Sequence, residues 1–70
     1  MKVNLNLLNS KMALYGDTNE TLSKALDLSQ QRLSAKRNST NGAEFTQSEM
    51  QIIKERYNLT DQEVVEIFLS

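Results

Sequence analysis

The stretch from residue 19 to residue 37 restricts the possible folds of this chain more than any other segment. Leu22 and Leu26 lie four residues apart, which places them on one face of a helix, and Asp27 then interrupts the pattern. A new pattern begins two residues later, with Leu33 as its next large apolar residue. This order predicts a short helix, a tight turn of about three residues and a second short helix crossing the first, which is a helix-turn-helix.

The second predicted helix of this pair is unusually polar. Leu33 is its only large apolar residue, and adjacent glutamines occupy its first turn. Glutamine donates and accepts at once, which matches the N6 and N7 edge of adenine, whereas arginine suits O6 and N7 of guanine. Recognition helices present mainly their N-terminal residues to base edges, so we predict that this helix enters the DNA major groove. The predicted base contacts are Gln30, Gln31, Arg32 and Ser34, and Arg32 could instead reach a phosphate. The competing interpretation is an ordinary solvated helix with its polar residues outward.

Phosphate contacts are predicted where this helix ends and a polar loop follows. The loop, residues 38–42, is built of small polar residues that could approach a phosphate backbone. The predicted phosphate contacts here are Lys36, Arg37, Asn38 and Asn41.

Composition excludes several kinds of function. The 70 residues contain no cysteine and no histidine, so disulfides, thiolate zinc sites and imidazole catalysis are excluded. The carboxylates have no histidine, cysteine or glycine-rich phosphate loop to act with. We therefore predict no enzyme activity, no cofactor and no metal site. No apolar run approaches the roughly 18 residues of a membrane span, so no membrane association is expected.

The net charge of −1 hides an asymmetry along the chain. Residues 1–43 carry six basic and three acidic residues, whereas residues 44–70 carry two basic and six acidic ones. The half with the predicted helix-turn-helix is therefore positive, as an electrostatic footprint on DNA requires.

Apolar periodicity and capping signals predict five helices and no strand. The predicted helices span about residues 4–15, 18–26, 29–37, 47–57 and 61–69. Four of them begin at a hydroxyl cap, namely Thr18, Ser29, Thr46 and Thr60, and the last two caps have glutamate three residues on, at Glu49 and Glu63. The sequence thus predicts an all-α fold and a single domain over residues 1–70.

The chain resembles the Cro/repressor-type helix-turn-helix proteins of temperate bacteriophages, the lambda repressor-like (XRE-type) family. The resemblance covers about residues 5–42 and is carried by residues that fall where the family has similar ones: Leu8, Lys11, Gly16, Thr18, Asn19, Glu20, Leu22, Ala25, Leu26, Leu28 and Leu33. Asp27 departs from it, since the family usually has glycine in this turn, although aspartate tolerates a left-handed backbone better than most residues. Ser23 and Lys36 stand where the family favours alanine and an apolar residue.

The resemblance implies a lambda repressor-like fold and a sequence-specific transcriptional regulator of a temperate phage or prophage. It would bind double-stranded operator DNA in the cytoplasm of a bacterial host. It also implies a role for Asn19, because an amide at the start of the first motif helix bridges the DNA backbone and the first recognition residue, here Gln30. The alternative is a protein-interaction module, an antirepressor or antitoxin-like adaptor, whose helix-turn-helix does not bind DNA. The net negative charge favours that alternative.

One recognition helix reads only about four or five base pairs, too few to find an operator in a genome. We therefore expect a weak homodimer, or a monomer that pairs on DNA. The last helix has more apolar residues than one stripe needs, and Phe68 and Leu69 are the predicted dimer contacts.

Overall fold

The computed structural model describes residues 3–68, and within that range the chain forms five α-helices and no strand. The helices are α1 (Leu5–Leu14), α2 (Asn19–Ala25), α3 (Gln30–Asn38), α4 (Gln47–Arg56) and α5 (Asp61–Phe68), with a short 3₁₀ turn at Thr40–Gly42. The predicted all-helical fold is confirmed for residues 3–68, and the helix ends in this range lie within about one residue of the predicted ones, except that the predicted end of the last helix, Leu69, lies outside the described residues. None of these helices is long and apolar enough to cross a membrane.

The predicted hydroxyl caps fix where the helices begin. The side chain of Thr18 accepts from the Thr21 amide at 3.2 Å, and that of Ser29 accepts from the Arg32 amide at 3.1 Å. Thr46 forms the full capping box, because Glu49 Oε1 in return accepts from the Thr46 amide at 2.8 Å. Each such contact pairs a backbone donor that the first helical turn leaves without a partner.

Left-handed residues end four of the helices, among them α3, which Ser39 follows with a φ of 54°. After α1 the position is taken by Gly16, after α2 by Asp27 and after α4 by Asn58, with φ values of 68°, 57° and 50°. After Asp27, the amide of Leu28 donates to the Ser23 carbonyl at 2.8 Å, which closes the hydrogen-bond pattern of a Schellman motif. Aspartate therefore does adopt the left-handed conformation that the α2–α3 turn requires.

The core joins all five helices, but their contributions are unequal. Its buried apolar residues are Leu8, Met12, Leu22, Leu26, Leu33, Phe45, Ile53, Tyr57, Leu59, Ile67 and Phe68. From α3 only Leu33 is buried, so apolar packing anchors this helix at one point. The α5 helix packs against α1 and α4, while α3 packs against α2.

The two predicted dimer contacts of α5 are Phe68 and Leu69. Phe68 is only 4% exposed, and its ring meets that of Phe45 edge-on with centroids 5.2 Å apart. Little of the Phe68 side chain therefore remains accessible for the dimer contact predicted of it. Leu69, the other predicted contact, lies outside the described residues. The apolar side chain that α5 does expose is Val65, which is 49% exposed.

Candidate nucleic-acid interface

The first turn of α3 presents polar side chains to solvent. Gln30, Gln31 and Arg32 are all exposed, and within residues 3–68 their side chains form no hydrogen bond or ion pair. Ser34, in the next turn, is half-buried. Three of the four predicted base-contacting residues are therefore free to engage a ligand, and Ser34 is less accessible.

Asn19, at the start of α2, connects α2 to both ends of α3. Its Nδ2 donates to the main-chain carbonyl of Gln30 at 3.4 Å, and its Oδ1 accepts from Nη1 of Arg37 at 3.0 Å. The expected support of Gln30 by Asn19 is thus made through the backbone of Gln30 and not through its side chain.

Arg37 is half-buried, and its guanidinium group donates to two asparagine side chains. Nη1 donates to Asn19 of α2, and Nη2 donates to Oδ1 of Asn9 on α1. The Nε atom is buried and has no hydrogen-bond partner in the described part of the chain. This arrangement differs from the phosphate contact expected of Arg37, which requires a guanidinium that faces solvent.

Lys36 is likewise not free for its expected phosphate contact. Its Nζ lies 2.7 Å from Oε1 of Glu49, and each of the two side chains is only 12% exposed. Partial burial alone would raise the pKa of Glu49, but the hydrogen bonds from Lys36 and the Thr46 amide outweigh it and hold that pKa below its ordinary value. The position where the resembled family favours an apolar residue is thus filled by a lysine that Glu49 neutralises.

Most other cations are also paired with carboxylates. Across residues 3–68 the remaining ion pairs are Lys11–Glu63, Lys24–Glu20, Lys54–Asp61 and Arg56–Asp17. Within the same range, Arg32 alone among the lysines and arginines has neither a carboxylate nor an amide side chain as partner. Folding therefore reduces the charge asymmetry of the sequence, because Lys11 and Lys36 of the basic half pair with acids of the other half.

The two asparagines predicted to follow the recognition helix remain accessible. Asn38 is the last residue of α3, and Asn41 lies in the 3₁₀ turn with a left-handed φ of 54°. Both are exposed. They can therefore offer neutral hydrogen-bond donors at this end of α3.

A hydrogen-bonded cluster around the carboxylate of Asp17, just before α2, was not predicted from the sequence. Asp17 accepts hydrogen bonds from Arg56 at 2.5 and 2.7 Å, from the hydroxyl of Tyr57 at 2.6 Å and from the hydroxyl of Thr21 at 2.7 Å. The hydrogen bonds from Arg56 contribute most to holding the pKa of Asp17 far below its ordinary value. Burial, and then the hydrogen bond to Asp17, raise the pKa of Tyr57 well above its usual value.

This cluster connects the start of α2 to the end of α4. Asp17 lies about forty positions before Arg56 and Tyr57 in the chain. No local sequence pattern therefore predicts the cluster. Its polar groups satisfy one another, which identifies it as a structural connection. No group of histidine, cysteine, aspartate and glutamate side chains within residues 3–68 is arranged to hold a metal ion.

Comparisons with protein families, with curated proteins and with solved structures found no match to this chain.

Proposed function

We propose that this protein is a sequence-specific DNA-binding transcriptional regulator of the Cro/repressor type, belonging to a temperate phage or prophage. In this proposal α2 and α3 form the helix-turn-helix, and α3 reads operator DNA in the major groove. The observation that carries it is the exposed, unpartnered first turn of α3, Gln30 to Arg32, on a helix anchored by the single buried residue Leu33. Glutamine and arginine at the N-terminal end of such a helix are suited to the edges of adenine and guanine.

The backbone contacts in this proposal are mainly neutral. Asn38 and Asn41 are exposed at the C-terminal end of α3, and the N-terminus of α2 offers amide groups to a phosphate. Arg32 is the cation available to add charge to this surface, because the others described are paired or enclosed. Since each neutralised phosphate contributes about 0.9 to the slope of log K against log salt, we expect a shallow salt dependence.

Pairing on DNA completes the proposal. The described residues extend over 27, 24 and 21 Å along their principal axes, whereas half-sites one helical turn apart are separated by roughly 34 Å. Because this separation exceeds the longest extent of the described residues, two protomers on neighbouring major grooves would share a small contact area at most. Such geometry supports a weak homodimer, or a monomer that pairs on a pseudo-palindromic operator.

The test is binding to the intergenic DNA beside the protein's own gene, measured by gel shift and fluorescence anisotropy, with random DNA of equal length as reference. Substitutions Gln30→Ala and Gln31→Ala should each cost about 1–3 kcal/mol on the cognate site and little on random DNA. Gln47 provides a matched control, because it is an exposed glutamine at the first position of α4. If Gln47→Ala were as harmful as the α3 substitutions, or if no DNA in this region were preferred, the proposal would fail.

A second candidate function, a protein-interaction adaptor that does not bind DNA, is favoured by the ion pairs. Five of the lysines and arginines in residues 3–68 face a carboxylate, so little positive charge remains for phosphates. This candidate predicts no preference between cognate and random DNA at low salt. It also predicts that Gln30→Ala leaves any DNA affinity unchanged.

A further inference from the structure

We propose that Arg37 is a positioning residue for base recognition and not a contact to DNA. Its guanidinium connects Asn9 of α1 to Asn19 of α2, and Asn19 holds the carbonyl of Gln30 at the start of α3. We call this chain of four residues, Asn9, Arg37, Asn19 and Gln30, the Arg37 network. The inference rests on the proposed function, because what the network positions is the turn that would read the bases.

The Arg37 network holds α3 at both ends. Arg37 lies in the last turn of α3, seven residues and therefore roughly 10 Å along the axis from Gln30. The same Asn19 side chain reaches both positions, accepting from Arg37 at 3.0 Å and donating to the Gln30 carbonyl at 3.4 Å. Both ends of α3 are thus hydrogen-bonded to the same side chain of α2. Nη2 of Arg37 also attaches the C-terminal end of α3 to α1.

This helix needs such polar attachments because its apolar packing is minimal. Leu33 is the only residue of α3 that is buried, and a single apolar anchor constrains rotation about the helix axis poorly. Side chains reach about 5–6 Å from the axis of a helix, so a rotation of only about 10° would move their ends by about 1 Å. A displacement of that size takes a bidentate contact to a base out of the 2.7–3.2 Å range of good hydrogen bonds.

The geometry also separates this role from phosphate binding. Two donor nitrogens of Arg37 are committed to asparagine oxygens, and Nε is buried. The planar guanidinium reaches two acceptors on different helices at once, which the single ammonium of lysine does not reproduce. A phosphate contact through one hydrogen bond needs mainly a point charge, which lysine also supplies, so Arg37→Lys should retain a phosphate contact but not this network.

The experiment compares Arg37→Lys, Arg37→Met and Asn9→Ala with the wild type for affinity to cognate and to random DNA across a salt series. We expect Arg37→Lys and Asn9→Ala to reduce the cognate-to-random affinity ratio about fivefold to tenfold, as misplacement of a base contact would, while random-DNA affinity and the salt slope stay unchanged. Thermal unfolding of each variant verifies that it is folded at the temperature of the binding measurements.

The opposite pattern would overturn the inference. A phosphate contact would leave Arg37→Lys close to wild type, whereas Arg37→Met would weaken cognate and random DNA equally and reduce the salt slope by about one unit. The matched control is Lys24→Met, which removes an exposed cation from α2 and should leave the cognate-to-random ratio unchanged.

A measurement without DNA distinguishes failure of this inference from failure of the proposed function. The backbone amide NMR signals of residues 30–32 should shift in Arg37→Lys and in Asn9→Ala but not in Lys24→Met. If wild-type protein prefers no DNA site, the proposed function fails, and positioning for base recognition fails with it even where these shifts appear. If the wild type does prefer its site and these amide signals are unmoved, the Arg37 network does not position α3, and this inference alone is overturned.

Discussion

The pair formed by Lys36 and Glu49 connects α3 to α4, and replacing Glu49 with glutamine tests how much that connection stabilises the protein. The substitution keeps the length of the side chain and its oxygen for the Thr46 amide, but removes the charge opposite the lysine. Nζ and Oε1 are 2.7 Å apart and both side chains are 12% exposed. Losing one partner of a fully buried pair costs about 3–5 kcal/mol, against about 0–1 for an exposed pair. We expect Glu49→Gln to lower the free energy of unfolding by about 2 kcal/mol.

A double-mutant cycle isolates the interaction between the two charges. Lys36→Met, Glu49→Gln and the double variant would be unfolded in urea at pH 7 and followed by far-ultraviolet circular dichroism. The double variant leaves no uncompensated charge, so it should be less destabilised than the sum of the single variants, with a coupling of about 1–2 kcal/mol.

The matched control is the pair of Lys54 and Asp61, which also joins two helices but in which the Asp61 side chain is 92% exposed. Its coupling should be much smaller, because water screens the charges. Equal coupling in the two cycles would refute the reasoning from burial. Since the pKa of Glu49 lies below its ordinary 4.5, its contribution should be complete above that pH and should disappear as the pH falls further.

Three other substitutions, with Leu14→Ala as a control, test separate parts of the fold by urea unfolding. Asp17→Asn should destabilise the protein near neutral pH, and the deficit should begin to shrink as the pH falls below 3.8, because the hydrogen bonds from Arg56 hold the pKa of Asp17 far below that value. A deficit of the same size at pH 2 as at pH 7 would contradict this. Leu33→Ala should cost about 2–5 kcal/mol, since Leu33 is 0% exposed. Leu14→Ala, at a side chain 74% exposed, should stay within about 0.5 kcal/mol, and equal losses at the two leucines would overturn the burial argument. Ser29→Ala should lower the free energy of unfolding by about 1 kcal/mol because it removes the α3 cap. An unchanged urea midpoint would show that this cap does not stabilise the protein.

The secondary structure could be predicted from the sequence because it depends on interactions within one or two helical turns. The cap at Ser29 acts on an amide three residues away, and the left-handed residues at Gly16 and Asp27 end helices through bonds to the preceding turn. The outward first turn of α3 was predictable for the same reason. With Leu33 facing the core, helical geometry turns Arg32 and Gln31, one and two residues earlier, away from the core.

Tertiary packing decided which charged and polar groups meet, and so which residues remain available to a ligand. A long side chain such as that of Lys36 or Arg37 can reach solvent or a neighbouring helix with equal local propensity. Packing brings Glu49 close to Lys36, and it brings Asn9, which is 28 positions away in the chain, close to Arg37. These spatial neighbours determine where the two long side chains point. The burial of Phe68 against Phe45 was decided in the same way. The sequence by itself determined the helices and the exposed turn of α3, because those depend on neighbours in the chain. Only the folded structure pairs Lys36 with Glu49 and Arg37 with Asn9 and Asn19, because these partners are neighbours in space alone.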